Sequence, residues 1–155
     1  MTKTKRNRLV KTYVAPVVVA AVVLVALGLV FGSSSPDITP ARVQSSVGPA
    51  FASLYQEQRT LLGLPPVGDP QSPAVCSRTG RGIPDYGAGD DWICQLSLSV
   101  DGLFQSIFTY ELSMQADGCY VADGSPSLVG GAMLTTPSGA NRVNPLFEFY
   151  GCFDT

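Results

Sequence analysis

Nineteen consecutive uncharged residues, Tyr13 to Phe31 (YVAPVVVAAVVLVALGLVF), divide this chain into a short basic beginning and a long remainder. At ~1.5 Å rise per residue, a helix of that length spans about 28 Å, close to the ~30 Å hydrocarbon core of a bilayer. Unbroken apolar runs of ~18 residues or more seldom occur in small soluble domains, so the spacing predicts a transmembrane helix rather than a core helix. Pro16 falls in its first turn, where a missing N–H costs least. Lys3, Lys5, Arg6, Arg8 and Lys11 precede the run, whereas the 20 residues after it hold Arg42 as their one cation. By the positive-inside rule, residues 1–12 are a cytoplasmic basic tail, residues 13–31 cross the plasma membrane, and everything after Phe31 lies outside. Cleavage and secretion is the alternative. A secretory signal has a shorter apolar region of ~7–15 residues, and the one passable cleavage site here is Val30-Phe31-Gly32. No cysteine closes the run, so a lipoprotein anchor is not expected.

Separating the two parts changes the charge balance. The whole chain carries −2, but from Gly32 onward 5 arginines and no lysine face 12 aspartates and glutamates, a net of −7. Such a surface repels nucleic acid and anionic lipid. The expected partners are therefore the bilayer, through residues 13–31, and another envelope protein, with no role for nucleic acid. Histidine is absent altogether. That excludes Ser-His-Asp and Cys-His catalysis, His-type zinc sites and an imidazole pH switch. With no lysine beyond residue 31, a Ser-Lys nucleophile is excluded too, and no cofactor is expected.

All four cysteines, Cys76, Cys94, Cys119 and Cys152, belong to the outer part. An even number in a small exported domain indicates two disulfides, for which three connectivities exist. The nearest two are 18 positions apart, unlike the close pairs of a thiolate metal site. The preferred pairing is Cys76 with Cys94, closing a Gly-, Pro- and Asp-rich loop that no core would hold, and Cys119 with Cys152. In the chain-entropy model a bridge of this size contributes ~3 kcal/mol.

Residues 32–40 (GSSSPDITP) are a polar linker, and residues 41–155 form the outer domain. Thr39 is a helix N-cap and Pro40 a first helical residue. Val43, Val47, Phe51, Leu54, Gln58 and Leu61 then recur at three- and four-residue steps, a stripe that only Gln58 interrupts. Gly48-Pro49 is expected to kink or split this helix, and Gly63 with Pro65-Pro66 to end it. Leu64 to Asp91 is irregular, with one short strand near Val75. Beyond it the period becomes two. Trp92, Cys94, Leu96, Leu98 and Val100 share one face of a strand, and Phe104, Phe108, Tyr110, Leu112 and Met114 one face of the next. A two-residue Asp101-Gly102 turn sets Val100 against Leu103 and mismatches these faces, so a longer connection or a bulge is expected. Cys119 to Asp123, Gly131 to Thr136, and Leu146 to Phe153 with Phe147 and Phe149 facing in, complete the strands. The fold class is α+β: a transmembrane helix, a linker, and one helix packed on a curved antiparallel sheet.

Three stretches, Gly89-Asp-Asp-Trp-Ile-Cys94, Asp117-Gly-Cys-Tyr-Val-Ala-Asp-Gly124 and Asn144-Pro-Leu-Phe-Glu-Phe-Tyr-Gly-Cys-Phe-Asp154, resemble a family of uncharacterised small exported or single-pass proteins of high-G+C Gram-positive bacteria. The resemblance covers most of the outer domain. It implies location and shape, and it carries over no catalytic residue. The architecture is also similar to cystatin-like and NTF2-like modules, by analogy of fold alone.

Without His or Lys, enzymatic chemistry is left to carboxylates, as in glycosidases. Asp85, Asp90, Asp91 and Glu111 are the acids that qualify, and Trp92 beside the Asp90-Asp91 pair resembles a sugar platform. The plainer reading has the acids solvating a strand entry and Trp92 filling the core. Asp85 to Asp91 (DYGAGDD) lacks the alternating ligands of a calcium loop, so no metal is expected. Tyr150 and Phe153 are candidate exposed aromatics, either a contact patch or edge-strand packing. These observations favour an accessory or interaction domain held at the membrane. The alternatives are an NTF2-like cup around a small ligand and, further off, a carboxylate enzyme acting on glycans.

Overall fold

One long helix, α1 (Pro40–Leu61), lies against a curved antiparallel sheet, and the sequence explains why it runs unbroken for 22 residues. Residues 37–153 are those described by the computed structural model; the expected transmembrane segment, residues 13–31, lies outside them. Among the described residues no helix is long and apolar enough to cross a membrane. Thr39 is extended and Pro40 opens the helix, as expected, although the Thr39 hydroxyl makes no capping bond. The expected break at Gly48-Pro49 does not occur. Val43, Val47 and Phe51 are fully buried. At ~1.5–3 kcal/mol each, their burial outweighs the ~3 kcal/mol cost of an interior proline. Pro49 is exposed, whereas Gly48 is buried. A Cβ at Gly48 would stand 2.4 Å from the Ser72 carbonyl oxygen, so glycine is what lets the helix approach the sheet margin.

The sheet comprises β1 (Pro70–Gln71), β2 (Ala74–Arg78), β3 (Gly89–Val100), β4 (Leu103–Met114), β5 (Cys119–Gly124) and β8 (Glu148–Cys152). β1 and β2 both pair with the same side of β3, forming one margin broken at Ser72-Pro73, and β8 is the opposite margin. All pairings are antiparallel. The turn between β3 and β4 resolves the parity conflict by a bulge. Asp101 (φ 51°) and Gly102 (φ 77°) make a two-residue turn with Val100 opposite Leu103. Register then shifts by one residue at Gln105, between the pairs Leu98/Ser106 and Ser99/Phe104. The extra residue restores the inward face for Phe108, Tyr110, Leu112 and Met114 and turns Phe104 outward, where it is 64% exposed. Phe104 is thus not the core residue its even position indicated. A second shift places Asp90 and Asp91 opposite Ser113 alone.

The interior is filled by aromatic rings. Phe51 packs on Phe108 and Tyr110, with ring centroids 4.9 and 5.8 Å apart, and Tyr110 meets Phe149 at 5.2 Å. Trp92, Leu96, Leu98, Tyr120 and Ile38 complete the core. Phe149 faces in as expected, and Phe147 is half-buried against the same cluster.

The segment after β5 departs from the expected topology. A short helix, α2 (Pro126–Val129), leads into β6 (Met133–Thr135), which pairs with β7 (Asn141–Val143) in a separate hairpin instead of joining the sheet. The place beside β5 is taken by β8, pinned there by Cys119–Cys152. The connecting segment is held instead to the helix. Asn144, fully buried, donates from Nδ2 to the carbonyls of Val129 and Gly131, both at 2.9 Å, and its Oδ1 accepts from Gln58 at 2.8 Å and from the Leu146 amide at 3.1 Å. Gln58, the polar interruption of the helical stripe, is therefore the partner a buried amide requires.

Candidate functional site

Both disulfides have the expected connectivity, and each joins residues directly opposite on neighbouring strands. Their surroundings differ. Cys76 and Cys94 lie in the core face of β2 and β3, at 3% and 0% exposure. Cys119 and Cys152 lie on the outer face, with Cys152 exposed.

Three of the four acids singled out in the sequence, Asp85, Asp90 and Asp91, lie at the start of β3 and in the loop before it, where Asp85 and Asp91 close the loop between β2 and β3. Arg78 at the end of β2 donates from Nε and Nη2 to the Asp91 carboxylate at 2.6–3.0 Å and from Nη1 to the Tyr86 carbonyl at 2.8 Å. Its backbone N–H donates to Asp85 Oδ1 at 2.9 Å. The Arg78 guanidinium holds the Asp91 carboxyl below its ordinary value. Asp90, across the bulge, accepts from the Ser113 hydroxyl. Trp92 is fully buried and donates its indole N–H to the Gly87 carbonyl at 3.0 Å, while the Gly87 amide donates to Ile38. Asp85, Asp91 and Trp92 are occupied in holding the loop, with the Trp92 ring turned into the core. Among the described residues no three potential ligand side chains converge as a metal site would require.

A different set of acids meets on the outer face of the sheet. Register aligns Glu111 of β4 with Asp123 of β5, and Asp123 with Glu148 of β8, so three carboxylates stand side by side in one row. The partial desolvation of Asp123, then the Glu148 carboxylate beside it, then Glu111, push its carboxyl above the ordinary value. The Arg78–Asp91 ion pair lies at the start of β3, apart from the row. In the next row Tyr150, 69% exposed, donates its hydroxyl to Glu148, whose hydrogen bond and charge push the phenol up. Val75 and Ile107 are exposed on the same face, as is the outward-turned Phe104. Phe153, expected beside Tyr150 as an exposed aromatic, is instead buried, with its ring 6.3 Å from Tyr120 and 5.4 Å from the Arg42 guanidinium carbon.

No family model, curated protein or solved structure matches the chain. Geometry alone therefore distinguishes the candidates. Glu111 was legible as an acid of interest, but Asp123 and Glu148 were missed. The signal lay in the disulfide pairing: if Cys119 opposes Cys152 in antiparallel strands, Asp123 must oppose Glu148.

Proposed function

We propose that this chain is an accessory protein anchored in the plasma membrane through residues 13–31, whose disulfide-stapled domain stands outside the cytoplasm and binds another envelope protein. The observation that carries this reading is the outer sheet face. Like charges directly opposed across strands destabilise a sheet, and here three stand in succession without a cation among them. With Tyr150 beside Glu148, and Val75 and Ile107 exposed further along the same face, the row suits a partner that presents basic and apolar groups together. The two disulfides support an oxidising exterior.

What supports this reading over a ligand-binding cup is the filled interior. Phe51, Phe108, Tyr110, Phe149 and Trp92 occupy the space between helix and sheet where such a cup would enclose its ligand. The carboxylate enzyme has less support, since the acids beside Trp92 already have partners.

The test is site-specific photo-crosslinking of the full chain in its own membrane. A crosslinker at Thr109 should capture one protein adduct, and the Glu111→Gln, Glu148→Gln double variant should weaken that capture. A crosslinker at Thr60, exposed at the far end of the helix, is the control. Adducts from Thr60 alone, or none from the outer face, would overturn the proposal.

A further inference from the structure

An open groove of about 610 Å³ runs between α1 and the broken sheet margin. Gln44, Ser45, Pro49 and Ala52 form its helical wall, and Pro70 to Pro73 with Ser99 the wall opposite. Its volume falls within the ~300–1,000 Å³ range usual for ligand sites. Its chemistry is unlike the rest of the domain. In a strongly acidic part of the chain, no lining residue is charged and none is aromatic.

Two hydrogen-bonding groups at this groove lack the partner that their position calls for. Ser72, at 6% exposure, has a buried hydroxyl with no hydrogen-bond partner. Buried polar atoms left in that state are uncommon in folded proteins. On the other wall, Pro49 has no N–H to give the Ser45 carbonyl four residues before it, so that acceptor loses its helical donor. The approach of the two walls is built in, since Gly48 is where the helix meets the Ser72 carbonyl.

We infer that this groove binds a short, extended, uncharged peptide segment. The absence of charged lining residues disfavours ionic ligands, whose charge would lose its hydration without an ion partner. The absence of an aromatic ring removes the stacking platform a sugar uses. Prolines and Ala52 offer small apolar surfaces, while Gln71, Ser72 and Ser99, with the remaining capacity of Gln44, which donates to the Cys76 carbonyl, and of Ser45, which donates to the Arg42 carbonyl, offer donors and acceptors to a peptide backbone. The margin strand is only two residues long at β1 and is interrupted at Pro73, so recognition rests on these side chains rather than on a long added strand.

The test pans a displayed random heptapeptide library against the full chain in nanodiscs, with empty nanodiscs subtracted. Enriched sequences should be uncharged. Ser45→Arg, at an exposed helical position, and Ala52→Arg should each weaken their binding at least tenfold. Ser72→Ala should weaken it by about 3- to 10-fold, as loss of one hydrogen bond does, and at the same time raise the melting temperature of the free protein, because it removes an orphaned hydroxyl. A purely structural serine would not separate binding from stability in that way. Enrichment of charged or aromatic sequences, binding indifferent to both arginine variants, or no enrichment at all would overturn the inference. Capture by the outer face should be unchanged in Ser45→Arg, so failure of one proposal is distinguishable from failure of the other.

Discussion

The two margins of the sheet are built on one plan and differ in where they place their staple and their charge. At the β2–β3 end the disulfide faces the core, and the acids beside it have partners: Asp91 is ion-paired with Arg78, and Asp85 accepts from the Arg78 amide. At the β5–β8 end the disulfide faces outward, and the acids beside it are stacked against one another. The first margin gives its acids partners within the chain. The second leaves charge and a Tyr150 ring directed outward, which is what a binding surface requires and a structural one avoids.

Disulfide removal gives the largest effects with which to test the comparison. If the entropy of the unfolded chain alone decided, Cys119–Cys152, spanning 33 residues, would contribute slightly more than Cys76–Cys94, spanning 18, both on the order of 3–4 kcal/mol. Burial predicts the reverse order. Cys76→Ser with Cys94→Ser leaves two hydroxyls in the core, adding about 1–3 kcal/mol each to the lost ~3 kcal/mol. That total approaches the whole stability of a small domain, so this double variant should fail to give a cooperative urea transition. Cys119→Ser with Cys152→Ser places its hydroxyls near solvent and should still fold, with stability lower by about 3–4 kcal/mol. Equal losses in the two pairs would remove the distinction between the margins.

The same margins can be compared by chemical access. Under native conditions a dithiol reductant followed by alkylation should label Cys119 and Cys152 first, since Cys152 is exposed, and label Cys76 and Cys94 only when the domain unfolds. Simultaneous labelling of all four, read by mass spectrometry, would show that the core-facing bridge is not protected by the fold.

How much of this was legible in the sequence depends on how local each feature is. The helix start at Pro40, the inward faces of β3 and most of β4, and the Cys76–Cys94 bridge follow from spacing, because each is set within one element or one loop, and Cys119–Cys152 is then the pair that remains. What spacing missed arises between elements. Gly48-Pro49 looks like a break until Gly48 is seen against Ser72. Phe104 looks like core until Gln105 is counted as an extra residue, and Gln58 looks like a flaw until Asn144 arrives as its partner. The hairpin β6–β7 looks like a sheet strand until β8 takes the place beside β5. The carboxylate row belongs to the same class, since it exists only once three strands are in register.

The smallest expected effect bears most directly on the outer face, because it separates the two margins by the sign of their response to pH. Asp123 has its carboxyl raised by its surroundings, so the folded protein holds that proton more tightly than the unfolded chain does. Below the ordinary carboxylate value of about 3.9 both states are protonated and the row carries no penalty from this group. As pH rises through the raised value, the folded state must release the proton beside Glu148 and Glu111, and the penalty is complete at neutral pH. Asp123→Asn should therefore stabilise the protein at pH 7 by about 0.2–1 kcal/mol, the size of one opposed like-charge pair, and the gain should vanish near pH 3.5. Asp91 titrates in the opposite sense. Its carboxyl is lowered by Arg78, so its contribution is present above the ordinary value and lost as pH falls through the lowered one. Asp91→Asn should destabilise at pH 7, with the difference shrinking on acidification. Urea midpoints at the two pH values measure both variants, and a stabilising Asp91→Asn or a destabilising Asp123→Asn at pH 7 would mean that the stacked row is not the strained margin.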